Sequence, residues 1–143
     1  MNIIAVLAVL TVLFAACAPA TIEGKSIAIG SLGNFADGSA STAKGEASLV
    51  LQADGKTKVI VTVSGLTKGT KHIGHVHNST CAVQGPVAIV LTRLEADASG
   101  NARSETIVDT AKLTGSQYVQ FHQRDVGDAA GPIGTGIVCG DIK

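Results

Sequence analysis

The chain has 143 residues, eleven basic side chains balancing eleven acidic ones, three Phe, one Tyr and no Trp. That length suits one domain with a proper core and is short for two. The charge balance argues against a nucleic-acid surface or a polybasic membrane patch, and the scarcity of aromatic rings argues against a stacking platform for bases or sugars.

Residues 1–16 carry no charged side chain and run apolar from Ile3 to Ala16. The run is too short for a comfortable membrane span and fits the core of a signal peptide. Leu13-Phe14-Ala15-Ala16-Cys17 is similar to a bacterial lipobox, although Phe14 stands where an aliphatic residue is commoner and no Lys or Arg precedes the apolar run. Cys17 is therefore the expected lipidation site and new N-terminus, with cleavage near Ala20 as the alternative. Either reading exports the protein, to a bacterial cell envelope or periplasm. Residues 17–25 then form a tether from a lipid anchor, and residues 26–143 the folded domain.

From there the pattern is β throughout. Ser26–Leu32 is the first predicted strand, and 33–44, small and polar, reads as a loop or irregular edge. Ala47–Gln52 and Lys58–Val63 flank Ala53-Asp54-Gly55-Lys56, a hairpin signal because both Asp and Gly can take positive φ. Lys71–His77 is the next strand. Val87–Leu94 and Ala102–Val108 flank Asp97-Ala98-Ser99-Gly100-Asn101, which predicts a second hairpin with Gly100 relieving the turn. A single helical turn is expected within Ala111–Ser116, followed by strands Tyr118–Arg124 and Gly136–Ile142. About eight short strands without an internal repeat predict an all-β sandwich or barrel.

Three of the four histidines fall in His72-Ile73-Gly74-His75-Val76-His77, and the fourth, His122, lies in a later strand. Side chains alternate faces along a strand, so His75 and His77 project the same way and can hold one ion, with His122 as the third ligand from a neighbouring strand. His72 is an odd step from His75, which assigns it to the opposite face and to a supporting role. Neutral imidazoles suit several metals, but affinity rises towards copper, so the expected cofactor of a preformed three-histidine site is one copper ion. Zinc at an open site would activate water, yet no general base is placed for a hydrolase. If Cys17 takes lipid, Cys81 and Cys139 remain, an even pair that reads as one disulfide in an oxidising compartment; two unpaired buried thiols are the alternative.

The histidine strand, Val119-Gln120-Phe121-His122 and the closing Gly136-Ile137-Val138-Cys139-Gly140-Asp141-Ile142 together resemble the copper/zinc superoxide dismutase family over most of the exported chain. The resemblance implies an eight-stranded Greek-key β-barrel. It implies copper ligation by His75, His77 and His122, a structural role for His72 behind them, and a disulfide between Cys81 and Cys139.

Departures from the family pattern alter the expected activity. The family's bridging histidine and zinc ligands lie on a long loop after the His-x-His strand, whereas here no histidine occurs between His77 and His122, and Cys81–Pro86 passes straight into the next strand. No zinc is expected. Gly136 stands where the family places an arginine that attracts superoxide, and Arg124 is the nearby cation that can substitute if its loop folds inward, an exposed strand end being the bland reading. Missing transition-state features cost about tenfold in rate for each 1.4 kcal/mol. The expectation is a copper-binding lipoprotein in copper handling or superoxide defence with weak or no dismutase activity. The alternatives are an active copper-only dismutase and a metal-free structural or interaction barrel.

Overall fold

The computed structural model describes residues 25–31, 41–123 and 134–142. The expected signal segment 1–16, Cys17 with the expected tether as far as residue 24, and Arg124 lie outside the described residues. Among the described residues eight strands follow one another: β1 Lys25–Ser31, β2 Lys44–Leu51, β3 Lys56–Ser64, β4 Lys71–Asn78, β5 Val87–Glu95, β6 Ala102–Asp109, β7 Gln117–His122 and β8 Gly136–Ile142. The expected helical turn is a short 3-10 segment at Thr110–Lys112.

Their order is β5-β4-β7-β8-β1-β2-β3-β6, with every pairing antiparallel. Strand β1 joins the two halves. Its first residues, Lys25 to Ile29, pair with β2, and Gly30 and Ser31 pair with β8. The β4–β5–β6 succession and the return of β7 to lie beside β4 make the Greek-key path.

The first hairpin forms as expected, but only Gly55, and not Asp54, has positive φ, at 76°. The second departs from expectation. Its turn closes through Asp97 and Gly100, the latter at φ 77°, yet β5 pairs along β4, β6 pairs along β3, and no backbone ladder joins β5 to β6. Hydroxyl groups bridge them instead. Thr92 N–H donates to Thr106 Oγ1 at 2.8 Å, Thr92 Oγ1 to the Glu105 carbonyl at 2.8 Å, and Ser104 Oγ to the Thr92 carbonyl at 2.6 Å. These side chains link β5 to β6 at the seam that closes the barrel, and they satisfy backbone groups that a ladder would have paired.

Period-two patterning builds the core. In β3 the inward residues Val59, Val61 and Val63 are buried while their neighbours are partly or fully exposed. They meet Ala47, Leu49, Leu91, Leu94, Val119, Phe121, Ile137 and Val138 from the other strands, each fully buried large aliphatic or phenyl side chain contributing roughly 1.5–3 kcal/mol. Strand β7 differs, because all six of its residues are buried. Val119 and Phe121 belong to the core. Alternation puts Tyr118, Gln120 and His122 on the outer face, which must therefore be covered by other chain.

Candidate metal centre

Register brings the histidines together. In the antiparallel β4–β7 ladder His75 lies opposite Gln120, Val76 opposite Val119 and His77 opposite Tyr118. Val76 points into the core, so His75 and His77 point outwards, on the same face as His122, which is the diagonal neighbour of His75. The three imidazoles are each about 6–7% exposed, and one nitrogen from each lies within 4.8 Å of the others. A slip of one residue between β4 and β7 would send the pair and the third histidine to opposite faces.

Hydrogen bonding decides which nitrogens face the gap. His77 Nδ1 is 2.9 Å from the Gly85 carbonyl, and His122 Nδ1 is 3.2 Å from the Gly134 carbonyl. A carbonyl only accepts, so each Nδ1 carries the proton and each Nε2 keeps a lone pair. The Nε2 atoms of His77 and His122 and the Nδ1 atom of His75 are buried and have no protein partner. Three buried, orphaned nitrogens on converging rings would be costly for a packed protein and are what a metal ion needs. The donor set therefore fits a metal: three imidazole nitrogens, two of them on rings fixed by carbonyls behind them.

The electrostatics agree. Burial, then the neighbouring His122 and His77 imidazoles, push the His75 pKa down to about 4 from its ordinary 6.5. Burial also lowers that of His122, against the opposing effect of its bond to Gly134, with His77 lowering it further. Both rings are thus neutral, ligand-ready bases at neutral pH.

His72 stands behind the trio. Its Nδ1 donates to the backbone carbonyl of His122 at 2.8 Å, and its Nε2 meets the Thr70 hydroxyl at 2.7 Å. It ties β4 to the backbone of the third candidate ligand. The Cys81–Cys139 disulfide is present, with Cα atoms 5.9 Å apart across 58 residues. Together with the bond from Cys81 N–H to Asp141 Oδ1 at 2.7 Å, it moors the loop that carries Gly85 to β8.

Three glycines of this site were not singled out by sequence reading. Gly85 and Gly134 supply carbonyls, a role open to any residue and so without a sequence signal. Gly85 must nevertheless be glycine, because a Cβ there would overlap the Asn78 carbonyl oxygen. Gly74, between His72 and His75, lies against the Phe121 ring, which a Cβ would displace. A glycine in the interior of a strand was the available hint of such a close approach.

Comparison with known proteins places the fold. The CHRD domain family pattern matches residues 29–135. No curated protein matches the sequence significantly. Among solved structures, a SOD-like protein from Bacillus subtilis superposes with a TM-score of 0.57 at 16% identity, covering 83% of this chain and 99% of that one. A single-site mutant of a SOD-like protein from the same organism gives a TM-score of 0.59 at 17% identity, over 82% and 97% of the two chains. The clock protein EA4 gives 0.55 at 20% identity, over 80% and 90%. At such identities the likeness to these proteins is one of fold, an all-β SOD-like barrel.

Proposed function

Because the chain belongs to the CHRD domain family and adopts a SOD-like fold, we propose that it is an exported copper-binding protein acting in copper handling or superoxide defence. The observation that carries this reading is the set of three buried nitrogens, on His75, His77 and His122, that converge without a protein partner. Imidazole nitrogen and an oxidising compartment favour copper over the other divalent ions. The uncharged segment 1–16 and the lipobox-like run ending at Cys17 support export and a lipid anchor.

Bound there, copper supplies one-electron exchange with a small oxidant or reductant such as superoxide. The protein's part is to hold the acceptors: the Gly85 and Gly134 carbonyls keep the protons of His77 and His122 away from the ion's place, and His72 fixes the His122 backbone. Dismutation in this reading is weak or absent, because the sequence lacks a bridging histidine between His77 and His122 and has Gly136 in place of a guiding arginine. An efficient copper-only dismutase is the second reading, favoured by a donor set of only three nitrogens among the described residues.

Metal stoichiometry tests the proposal. The protein is purified without metal, equilibrated with competing copper and zinc, freed of excess and assayed for bound atoms. One retained copper with little zinc is expected. Retention of zinc in preference overturns the copper assignment, and retention of neither metal makes the barrel a structural or interaction module. Superoxide turnover by the copper-loaded protein then separates copper handling from dismutation.

A further inference from the structure

Tyr118 lies opposite His77 in the β4–β7 ladder and is 1% exposed. Its ring stacks on the His77 imidazole, with centroids 4.9 Å apart and planes 10° from parallel. Its hydroxyl oxygen accepts the Gly85 N–H at 3.2 Å, while the carbonyl of that same Gly85 accepts His77 Nδ1–H at 2.9 Å. One phenol thus reaches one candidate ligand twice, through its ring and through the peptide that sets the ligand's tautomer. Gly85 has little freedom of its own, since its Cα packs against the Asn78 carbonyl and its loop is moored by Cys81 to Cys139 and Asp141.

We propose that Tyr118 is the positioning residue of the site: it holds the His77 ring plane by stacking and holds its Nδ1–H tautomer by clamping Gly85. The inference rests on His77 being a metal ligand for its effect on copper, but not for its effect on the tautomer. His122 and His75 have no such aromatic support in the described residues, because their ring neighbours are the other imidazoles. His77 is therefore the ligand whose geometry should respond most to a change at position 118.

The test compares Tyr118→Phe, which keeps the stack and loses the hydroxyl, with Tyr118→Leu, which loses both. The first readout is made without metal, as the nitrogen chemical shifts of the His77 ring and the exchange rate of its Nδ1–H in the full chain. Tyr118→Phe should mix the two His77 tautomers and speed exchange while leaving the His122 signals as in the wild type. The second readout is copper competition together with the electron paramagnetic resonance spectrum of the copper-loaded protein. Outer partners of ligating histidines are worth about 10–100-fold in metal affinity, so Tyr118→Phe should fall near the lower end, Tyr118→Leu should fall further, and both spectra should shift. An unchanged His77 tautomer and exchange rate in Tyr118→Phe, with the fold intact by circular dichroism, overturns the positioning role whether or not copper binds. If the wild type retains no copper but the tautomer responds as expected, the positioning role stands and the copper assignment falls.

Discussion

At the scale of single residues, the site is a matter of proton placement. The proton on His77 and that on His122 face backbone carbonyls, and burial keeps His75 neutral down to about pH 4. Replacing His75, His77 or His122 by Ala should each abolish tight copper binding, measured by competition with a chelator. His72→Ala should only weaken it, because that ring touches the His122 carbonyl and not the gap; wild-type affinity in the His122→Ala variant would refute a site shared between β4 and β7. The lowered pKa also sets a pH dependence. Between about 6.5 and about 4 the unfolded chain takes a proton at His75 that the folded chain refuses, so the metal-free protein should lose stability as pH falls through that window. Thermal midpoints taken from pH 7 to 4.5 should drop, and His75→Gln should flatten the profile; an equal slope in the variant would show that His75 does not drive it.

At the scale of elements, one strand serves two faces. Strand β7 sends Phe121 into the core and His122 to the site, and β4 does the same with Val76 and its histidine pair. Gly74→Ala would push on the Phe121 ring from between the histidines, and overpacking of this kind costs about 1–3 kcal/mol. It should lower both the unfolding midpoint and copper affinity, which joint denaturation and competition measurements would reveal. The seam between β5 and β6 is a different case. Thr106→Val removes the acceptor of the Thr92 N–H without changing shape much, and should cost about 0.5–1.5 kcal/mol in urea unfolding while leaving metal affinity unchanged. A loss of affinity there would mean that the seam is coupled to the site.

At the scale of the whole molecule, the disulfide links the end of the chain to the loop behind His77. Cys139→Ser should cost up to about 4 kcal/mol under oxidising conditions, by the loop-closure estimate for a closed loop of this size, and should also weaken copper binding because the Gly85 loop loses its mooring. Equal midpoints for the variant and the oxidised wild type would deny the cross-link a stabilising role. Much of this architecture was legible beforehand. Apolar and β-branched runs bounded by turn residues marked all eight strands to within a few residues, since these preferences are local. The His-x-His spacing likewise guaranteed that His75 and His77 share a face wherever the strand lies. Three things lay beyond such reading: the separation of β5 from β6 at a hydroxyl-bridged seam, the register that makes His122 the diagonal neighbour of His75, and the clasp of Tyr118 and Gly85 on His77. Local patterning by itself determined which residues face the same way on one strand, because that follows from backbone geometry. Only the tertiary structure decided which strands meet and in what register, because pairing between distant segments is settled by the packing of the whole core, and a backbone carbonyl acquires its role as a ligand's hydrogen-bond partner only once the chain has brought it there.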